Sequence, residues 1–114
     1  MTDCIFCKMV SGEIKADVVA ETDEILAFRD INPQAPVHIL IIPKKHIATT
    51  NDITEEDAEL IGKMTLTAKQ IAAEQNISEN GYRLVLNCNQ HGGQSVDHIH
   101  FHLLGGRQMM WPPG

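Results

Sequence analysis

Residues 98–104 have the sequence HIHFHLL, with a histidine at every second position of an apolar run. Because neighbouring side chains of a β-strand point to opposite faces, this spacing predicts a strand with three imidazoles on one face and apolar groups on the other. A single histidine is usually a packing or surface residue, whereas three in strict alternation indicate a functional surface. Two interpretations follow: His98, His100 and His102 could ligate a metal ion, or they could act as nucleophile, acid and orienting groups around a phosphate.

The segments on either side of this strand predict an antiparallel sheet packed against a helix. Residues 37–42 form an almost continuous apolar run, interrupted only by His38, which is typical of a central strand covered on both faces. Adjacent strand-turn-strand segments favour an α+β fold with about five strands, one long helix and one short helix. The predicted strands are residues 17–21, 25–29, 37–42, 82–88 and 98–104, and the predicted short helix is residues 4–10.

The long helix is predicted to begin at Thr54. Its hydroxyl can cap the first turn, and Asp57 stands three residues later, as a capping box requires. The helix is expected to fade near Asn76, and residues 89–95 are expected to form a polar, glycine-bearing loop. Apolar side chains recur along the helix at helical spacing, at Ile61, Met64, Ala68 and Ile71. This apolar face predicts that the helix packs against one face of the sheet.

Length and composition indicate a single domain that spans residues 1–114. The chain is 43% hydrophobic and 21% charged, with a formal net charge of −6, which is typical of a globular protein and argues against a nucleic-acid partner. No apolar run approaches the roughly 20 residues of a membrane span, and no secretory signal is recognisable at the amino terminus. We therefore expect a cytoplasmic protein, with no membrane partner, whose three cysteines stay reduced.

The loop before the histidine strand favours the phosphate interpretation. Gly92 and Gly93 let the backbone approach a ligand closely, and the N–H groups of such a loop can line an anion site. Gln94 and Ser95 add side-chain donors. A glycine pair alone would be a flexible connector, but a donor-bearing loop that leads directly into three histidines indicates a phosphate site.

Several further motifs point to one protein family. Besides HIHFHLL and His38, they are FRDINPQAP at residues 28–36, PKKH at 43–46, GGQS at 92–95, LGGRQ at 104–108 and WPPG at 111–114. Taken together, the chain resembles the Hint branch of the histidine triad (HIT) superfamily over nearly its whole length. The resemblance implies the HIT fold, a homodimer that pairs two sheets edge to edge, and no organic cofactor.

The same resemblance implies an enzyme that hydrolyses purine nucleoside phosphoramidates to a nucleoside 5′-monophosphate and an amine. His100 would be the nucleophile and would form a nucleotidyl-histidine intermediate that water cleaves. His102 would donate to a phosphate oxygen, His38 would support the same cluster, and either of them could protonate the leaving amine. Elementary chemistry agrees, because a neutral imidazole is a competent nucleophile near pH 7.

Family counterparts also imply a nucleotide pocket. Asp30 would accept hydrogen bonds from the ribose hydroxyls, although in isolation it would be interpreted as a turn-capping aspartate. Phe28 and Ile31 would flank the base, and Trp111 would reach the partner subunit's active site. The phosphate would lie among His100, His102, Asn87, Gly93, Gln94 and Ser95.

Cys4 and Cys7 form a C-x-x-C pair that is open to metal, redox or packing interpretations. Some histidine triad relatives pair such cysteines with two histidines, and the corresponding positions here are His46 and His98. The resemblance therefore implies a structural Zn²⁺ held by Cys4, Cys7, His46 and His98, which leaves only two triad histidines to face the phosphate. The alternative is that the cysteines pack a short helix and that His46 is exposed.

Two other classes of function remain open on the sequence. A dinucleoside polyphosphate hydrolase or a nucleotidyltransferase would use a similar site, but the Gln94-Ser95 loop and the Trp111 tail favour the phosphoramidate hydrolase. A nucleotide-sensing adaptor would bind AMP without needing His100 as a nucleophile.

Overall fold

The computed structural model describes residues 3–114 and is built on a five-stranded antiparallel sheet in the order β1-β2-β3-β5-β4. The predicted α+β fold, with five strands and one long helix, is confirmed. A further short helix, α3, lies in the segment that was expected to be a loop. The strands are β1 (Val18–Glu21), β2 (Ile25–Arg29), β3 (Val37–Pro43), β4 (Tyr82–Leu86) and β5 (Phe101–Gly105), and the helices are α1 (Ile5–Val10), α2 (Ala58–Glu74) and α3 (Asn89–Gly92).

Different helices cover the two faces of the sheet. Ile39 of β3 packs in one apolar core with Met64 of α2. The next residue, Leu40, points the other way and packs in a second core with Ile42 and with Phe6 of α1. This double coverage explains why β3 is apolar along most of its length, as the sequence predicted.

The register of the central strands places the histidines on the α1 face. Leu40 of β3 lies opposite Phe28 of β2 on one side and His102 of β5 on the other. Residues directly opposite each other in a sheet share a face, and so does His38, two positions before Leu40. These side chains therefore project toward α1 and away from α2.

The capping signal at Thr54 begins a short turn that leads into the long helix. A 3₁₀ turn occupies Glu55–Asp57, and the α-helix itself starts at Ala58 and ends at Glu74. The Asp57 carboxylate accepts a hydrogen bond from the Thr54 backbone N–H at 3.0 Å, as the predicted capping box requires. Within residues 3–114, no helix combines the length and the hydropathy needed to cross a bilayer.

The last strand is shorter than the sequence predicted. Strand β5 begins at Phe101, so His98 and His100 precede the regular strand. The backbone N–H of Ile99 donates to the carbonyl of Ile47 at 2.8 Å, outside the sheet ladder. The predicted start of this strand at His98 is therefore wrong, and the alternation of faces along a strand applies only from Phe101 onward.

Candidate active site and metal centre

His100 is a buried imidazole whose tautomer is set by a backbone carbonyl. The residue is 3% exposed, and its Nδ1 lies 2.8 Å from the carbonyl oxygen of His98. A carbonyl only accepts, so Nδ1 carries the proton and Nε2 keeps a lone pair. Burial lowers the pKa of His100, against the opposing effects of that hydrogen bond and of the Asp30 charge. Near pH 7 the ring is therefore neutral, with one nitrogen able to attack.

His102 receives the opposite tautomer through His38. The Gln34 backbone N–H donates to Nδ1 of His38 at 3.0 Å, so the His38 proton is on Nε2. That nitrogen lies 2.9 Å from Nδ1 of His102 and 3.5 Å from the Asp30 carboxylate. His102 consequently accepts at Nδ1 and carries its proton on Nε2. The Arg107 guanidinium braces this arrangement by donating twice to the Gln34 carbonyl, at 2.9 and 3.2 Å.

Both histidines of this relay stay neutral at ordinary pH. Burial lowers the pKa of His38, although the neighbouring Asp30 carboxylate raises it in part. Burial and, next, the nearby His100 and His38 rings lower the pKa of His102 to about 4. The ring centroids of His100 and His102 are 4.9 Å apart. The site thus sets a nucleophilic nitrogen beside a neutral N–H donor, which is the pair of groups that displacement at phosphorus requires.

A cavity of about 250 Å³ opens onto these two histidines. Its walls are largely apolar, and its charged groups come from Lys15, Asp17, Arg29 and Asp30, a composition typical of a small-molecule site. Six of the residues predicted from the sequence line it: Phe28, Asp30, Ile31, Ser95, His100 and His102.

Helix α1 contributes a wall of this cavity that the sequence analysis did not assign. Ile5, Phe6 and Met9 all line the cavity, as does Val96 near the histidines. A signal was available, because Ile5 and Met9 stand four residues apart and so share one face of a short helix. Without the sheet register, nothing in the sequence indicated which surface that face would meet.

Gln94 and Gly93 are engaged within their own loop. The Gln94 amide nitrogen donates to the carbonyls of Ala48 and Val96, at 2.7 and 2.9 Å, and its oxygen accepts from the Asn89 backbone N–H at 2.9 Å. The backbone N–H of Gly93 donates back into α3, and Gly93 has a φ of +82°, a conformation that glycine adopts without strain. Gln94 thereby fixes the shape of the loop that precedes the histidines.

The remaining predicted pocket residues do not line the cavity of this chain. Asn87 is half-buried just beyond the end of β4, and His38 contacts the cavity histidines only through His102. Trp111 lies in the carboxy-terminal tail with 81% of its surface exposed. None of these three residues lines the cavity.

The four predicted metal ligands come together at one point. Their ligand atoms, Sγ of Cys4 and Cys7 and one nitrogen each of His46 and His98, lie within 4.8 Å of one another. Nδ1 of His98 is 3.4 Å from Cys4 Sγ, 3.6 Å from Cys7 Sγ and 3.2 Å from Nδ1 of His46, which is 3.3 Å from Cys7 Sγ. In a tetrahedral zinc site, Zn–N bonds of about 2.0–2.1 Å and Zn–S bonds of about 2.3 Å place nitrogen–nitrogen and nitrogen–sulfur pairs about 3.3–3.6 Å apart. The cluster therefore has the dimensions of a four-ligand metal site.

The tautomer of His98 agrees with a ligand role. Its Nε2 lies 2.7 Å from the carbonyl oxygen of Pro43, and the side chain is fully buried. Nε2 must therefore carry the proton, which leaves the Nδ1 lone pair directed at the two thiols. A metal-binding histidine commonly donates its other ring N–H to a backbone carbonyl in this way.

A second cluster, Asp30, His38 and His102, has similar spacing but different chemistry. Nε2 of His38 is protonated because its Nδ1 already accepts from a backbone N–H. A protonated nitrogen offers no lone pair to a metal. We therefore interpret this group as a hydrogen-bonded relay.

Comparison with known proteins gives a consistent result. A family model described as HIT domain matches residues 11–109. An uncharacterized HIT-like protein of Synechococcus elongatus is 54% identical over 98% of this chain and 97% of its own length. Purine nucleoside phosphoramidase of Escherichia coli K12 is 51% identical over 94% of this chain and 90% of its own length. The crystal structure of a HIT family hydrolase from Legionella pneumophila Philadelphia 1 is 62% identical, covers 98% of this chain and 100% of its own, and has a TM-score of 0.97.

Proposed function

The chain belongs to the HIT domain family, and we propose that it is a purine nucleoside phosphoramidate hydrolase that works through a nucleotidyl-histidine intermediate on His100. The observation that carries this proposal is the hydrogen bond from His100 Nδ1 to the His98 carbonyl. That bond leaves Nε2 as a free lone pair on a neutral, buried ring beside the cavity. The name of the E. coli relative supports the choice of substrate class.

In the first step, Nε2 of His100 attacks phosphorus and the phosphorus–nitrogen bond of the substrate breaks. The amine leaves with the bonding electron pair as a neutral molecule, because its nitrogen takes up a proton from solvent before the bond breaks. His102 lines the cavity with its proton on Nε2, so this N–H would donate a hydrogen bond to a phosphoryl oxygen as negative charge builds up there. His38 acts one step further away, because it fixes the tautomer of His102 and does not line the cavity.

In the second step, water attacks phosphorus and the bond to His100 breaks. His102 keeps its N–H on the phosphoryl oxygen, the proton of the attacking water passes to solvent, and His100 recovers its lone pair. The products are a nucleoside 5′-monophosphate and the free amine. Splitting one displacement into two lets a single pair of neutral imidazoles serve both halves of the reaction.

The nucleotide would occupy the cavity between α1 and the end of β2. Phe28 and Ile31 would flank the base, and the Asp30 carboxylate would accept from the ribose hydroxyls. One Asp30 oxygen already accepts from the Asn32 backbone N–H at 2.8 Å, which aims the carboxylate and leaves lone pairs for a ligand. Ser95 would contact the phosphate, and Asn87, Gly93 and Gln94 would form the rest of the phosphate site.

We also propose a homodimer, in which the exposed Trp111 tail of one subunit would reach the other subunit's site. The tail is tied to β4, because Arg83 donates to the carbonyl of Met110 at 2.9 Å. Strand β4 is at the edge of the sheet, where a second copy could pair by main-chain hydrogen bonds.

Cys4, Cys7, His46 and His98 would hold a structural Zn²⁺. Four protein ligands complete a tetrahedral shell and leave no position for substrate, so the metal would brace the amino terminus and supply no Lewis acid to the reaction. The proposal of zinc rests on two thiolates and two imidazoles at tetrahedral spacing.

The test is steady-state hydrolysis of adenosine 5′-phosphoramidate by wild-type protein, His100→Ala and the exposed-loop control His91→Ala. We expect turnover by wild type and control, and a loss of roughly 10³-fold or more in His100→Ala, as when other enzymes lose their nucleophile. Mass spectrometry of rapidly quenched enzyme should detect a nucleotidyl adduct on residue 100. If wild-type protein binds AMP but does not turn over, the hydrolase proposal is wrong and a nucleotide-sensing or polyphosphate-directed role replaces it.

A further inference from the structure

Phe6 lies between the two cysteines of the metal cluster, in the first turn of α1. Cys4 caps this helix, and its Sγ accepts a hydrogen bond from the Cys7 backbone N–H at 3.3 Å. Phe6 as a whole is 4% exposed. A ring in this position cannot shift unless the backbone that carries one or both cysteines shifts with it.

The Phe6 ring contacts both the cluster and the proposed nucleophile. It packs edge-to-face on His100, with ring centroids 5.1 Å apart and an interplanar angle of 85°. It makes a similar contact with His98 at 5.8 Å, and with Phe28 at 5.5 Å. Edge-to-face packing is the preferred geometry for such pairs, so the three contacts together define the orientation of each ring.

The hydrogen bond to His98 does not by itself fix His100. A single N–H···O bond sets the direction of one ring edge and leaves the plane free to tilt about it. The Phe6 ring meets the imidazole nearly at a right angle and restricts that tilt. Together the two contacts hold Nε2 in one direction, which matters because displacement at phosphorus requires the nucleophile to be aligned.

We propose that Phe6 is a positioning residue for His100, and that metal held by Cys4 and Cys7 acts on the nucleophile through the Phe6 ring. The inference rests on the proposed function for the role of His100. Metal bound to the two thiolates fixes the first turn of α1, the turn fixes Phe6, and Phe6 fixes the plane of the imidazole. Loss of the metal therefore loosens His100 while the sheet and α2 remain folded.

The competing explanation is that Phe6 is only a wall of the nucleotide cavity, which it lines with Ile5 and Met9. A wall affects substrate affinity, whereas a positioning residue affects the rate at saturation. The two roles therefore differ in whether Phe6→Leu changes KM or kcat.

The first experiment compares Phe6→Leu, Phe6→Tyr and Val10→Ala with wild type. Val10 is on the same helix and packs in the same core, but it does not line the cavity. We expect kcat for adenosine 5′-phosphoramidate to fall about 2- to 13-fold in Phe6→Leu, the rate equivalent of losing one edge-to-face ring pair. Phe6→Tyr, which keeps the aromatic ring, should retain most of the wild-type kcat, and Val10→Ala should keep the wild-type kcat. A rise in KM and in the Kd of AMP, with kcat unchanged in Phe6→Leu, would overturn the positioning role.

The second experiment needs no turnover, so it separates this inference from the proposed function. Nitrogen-15 NMR of the His100 ring in wild type should give two distinct shifts, one for protonated Nδ1 and one for unprotonated Nε2. In Phe6→Leu the hydrogen bond to His98 keeps the tautomer, so the two shifts should stay distinct. The NMR order parameter of the His100 Cε1–H bond should fall, because the ring plane tilts more freely without Phe6. An unchanged order parameter would overturn the inference even if hydrolysis is observed.

The third experiment tests the link to the metal by a double-mutant cycle. Cys4→Ser with Cys7→Ser is made in the wild-type and Phe6→Leu backgrounds, and Zn²⁺ content is measured in each. If the metal acts through Phe6, losing it lowers kcat in the first background and has little further effect in the second. Losses that multiply, or a wild-type chain that binds no added Zn²⁺, would overturn the link.

Discussion

His38→Leu removes the donor that sets the tautomer of His102 and puts an apolar side chain of similar size in its place. In the native site, His38 Nε2–H donates to His102 Nδ1 at 2.9 Å, and the His38 side chain is only 4% exposed. Leucine cannot donate, so His102 loses the partner that keeps its own proton on Nε2. We expect the variant to fold, to bind AMP, and to hydrolyse the phosphoramidate more slowly.

The size of the effect follows from the one hydrogen bond and the one unpaired acceptor. A neutral hydrogen bond contributes about 0.5–1.5 kcal/mol, and a buried acceptor left unpaired costs about 1–3 kcal/mol. If that loss, about 1–3 kcal/mol, is expressed in the transition state, kcat falls roughly 5- to 150-fold. The free energy of unfolding should fall by a similar amount. The Gln34 N–H, which also loses its acceptor, is at an exposed residue and can turn to water.

The assay is kcat on adenosine 5′-phosphoramidate for His38→Leu, His38→Gln and the control His91→Leu. The glutamine amide can still donate to His102, so His38→Gln should keep more activity than His38→Leu. His91 is exposed in α3, and its replacement should leave kcat within about twofold of wild type. Equal activity of His38→Leu and wild type would refute the relay, and equal losses in both His38 variants would refute the tautomer argument.

Three further outcomes follow from the structure. Because the pKa of His102 is lowered to about 4, the unfolded chain takes up its proton near pH 6.5 before the folded one does. The free energy of unfolding should therefore decrease from pH 7 to pH 5, more steeply in wild type than in His102→Gln, as measured by urea titration; parallel curves would contradict this. Wild-type protein purified without added zinc should contain about one equivalent of zinc by metal analysis. The double variant Cys4→Ser with Cys7→Ser should lose the metal and melt at a lower temperature, and it should keep residual hydrolysis. Less than about a tenth of an equivalent in the wild type would count against zinc. Met64→Ala, at a fully buried position of α2, should cost about 2–5 kcal/mol of stability with kcat unchanged, and Leu66→Ala, 64% exposed on the same helix, should cost less than about 0.5 kcal/mol.

Much of the fold could be predicted because its signals are local. Strand β2 has the predicted bounds, β3 extends the predicted run by one residue, and the capping box at Thr54 forms. The apolar spacing of α2 named the residues that face the sheet, with Met64, Ala68 and Ile71 all buried. The strands and the helix face follow from side-chain periodicity, and the capping box follows from a hydrogen bond between residues three apart. Such signals do not depend on the rest of the chain.

The rest depended on contacts between distant segments. The start of β5 was placed three residues too early, because Ile99 pairs with Ile47 and not with a neighbouring strand. The short helix α3 was missed, since four residues with no apolar periodicity give no helical signal. The wall that α1 contributes to the cavity required the sheet register, which brings Phe28 and His102 to the same face as α1.

The different roles of the histidines are set by hydrogen bonds to backbone carbonyl and N–H groups, which a sequence pattern does not show. His98, His100 and His102 are chemically identical, yet two of them receive opposite tautomers and the other is directed toward two thiols. The partners responsible are two carbonyls, which can only accept, and one N–H at Gln34, which can only donate. The carbonyls beside His98 and His100 belong to the main chain, so their effect does not depend on another side chain. The N–H of Gln34 acts on His102 only through the His38 ring, which is why His38→Leu is expected to change His102. The two interpretations of the histidine run, metal ligand and phosphate chemistry, therefore describe different members of the same motif.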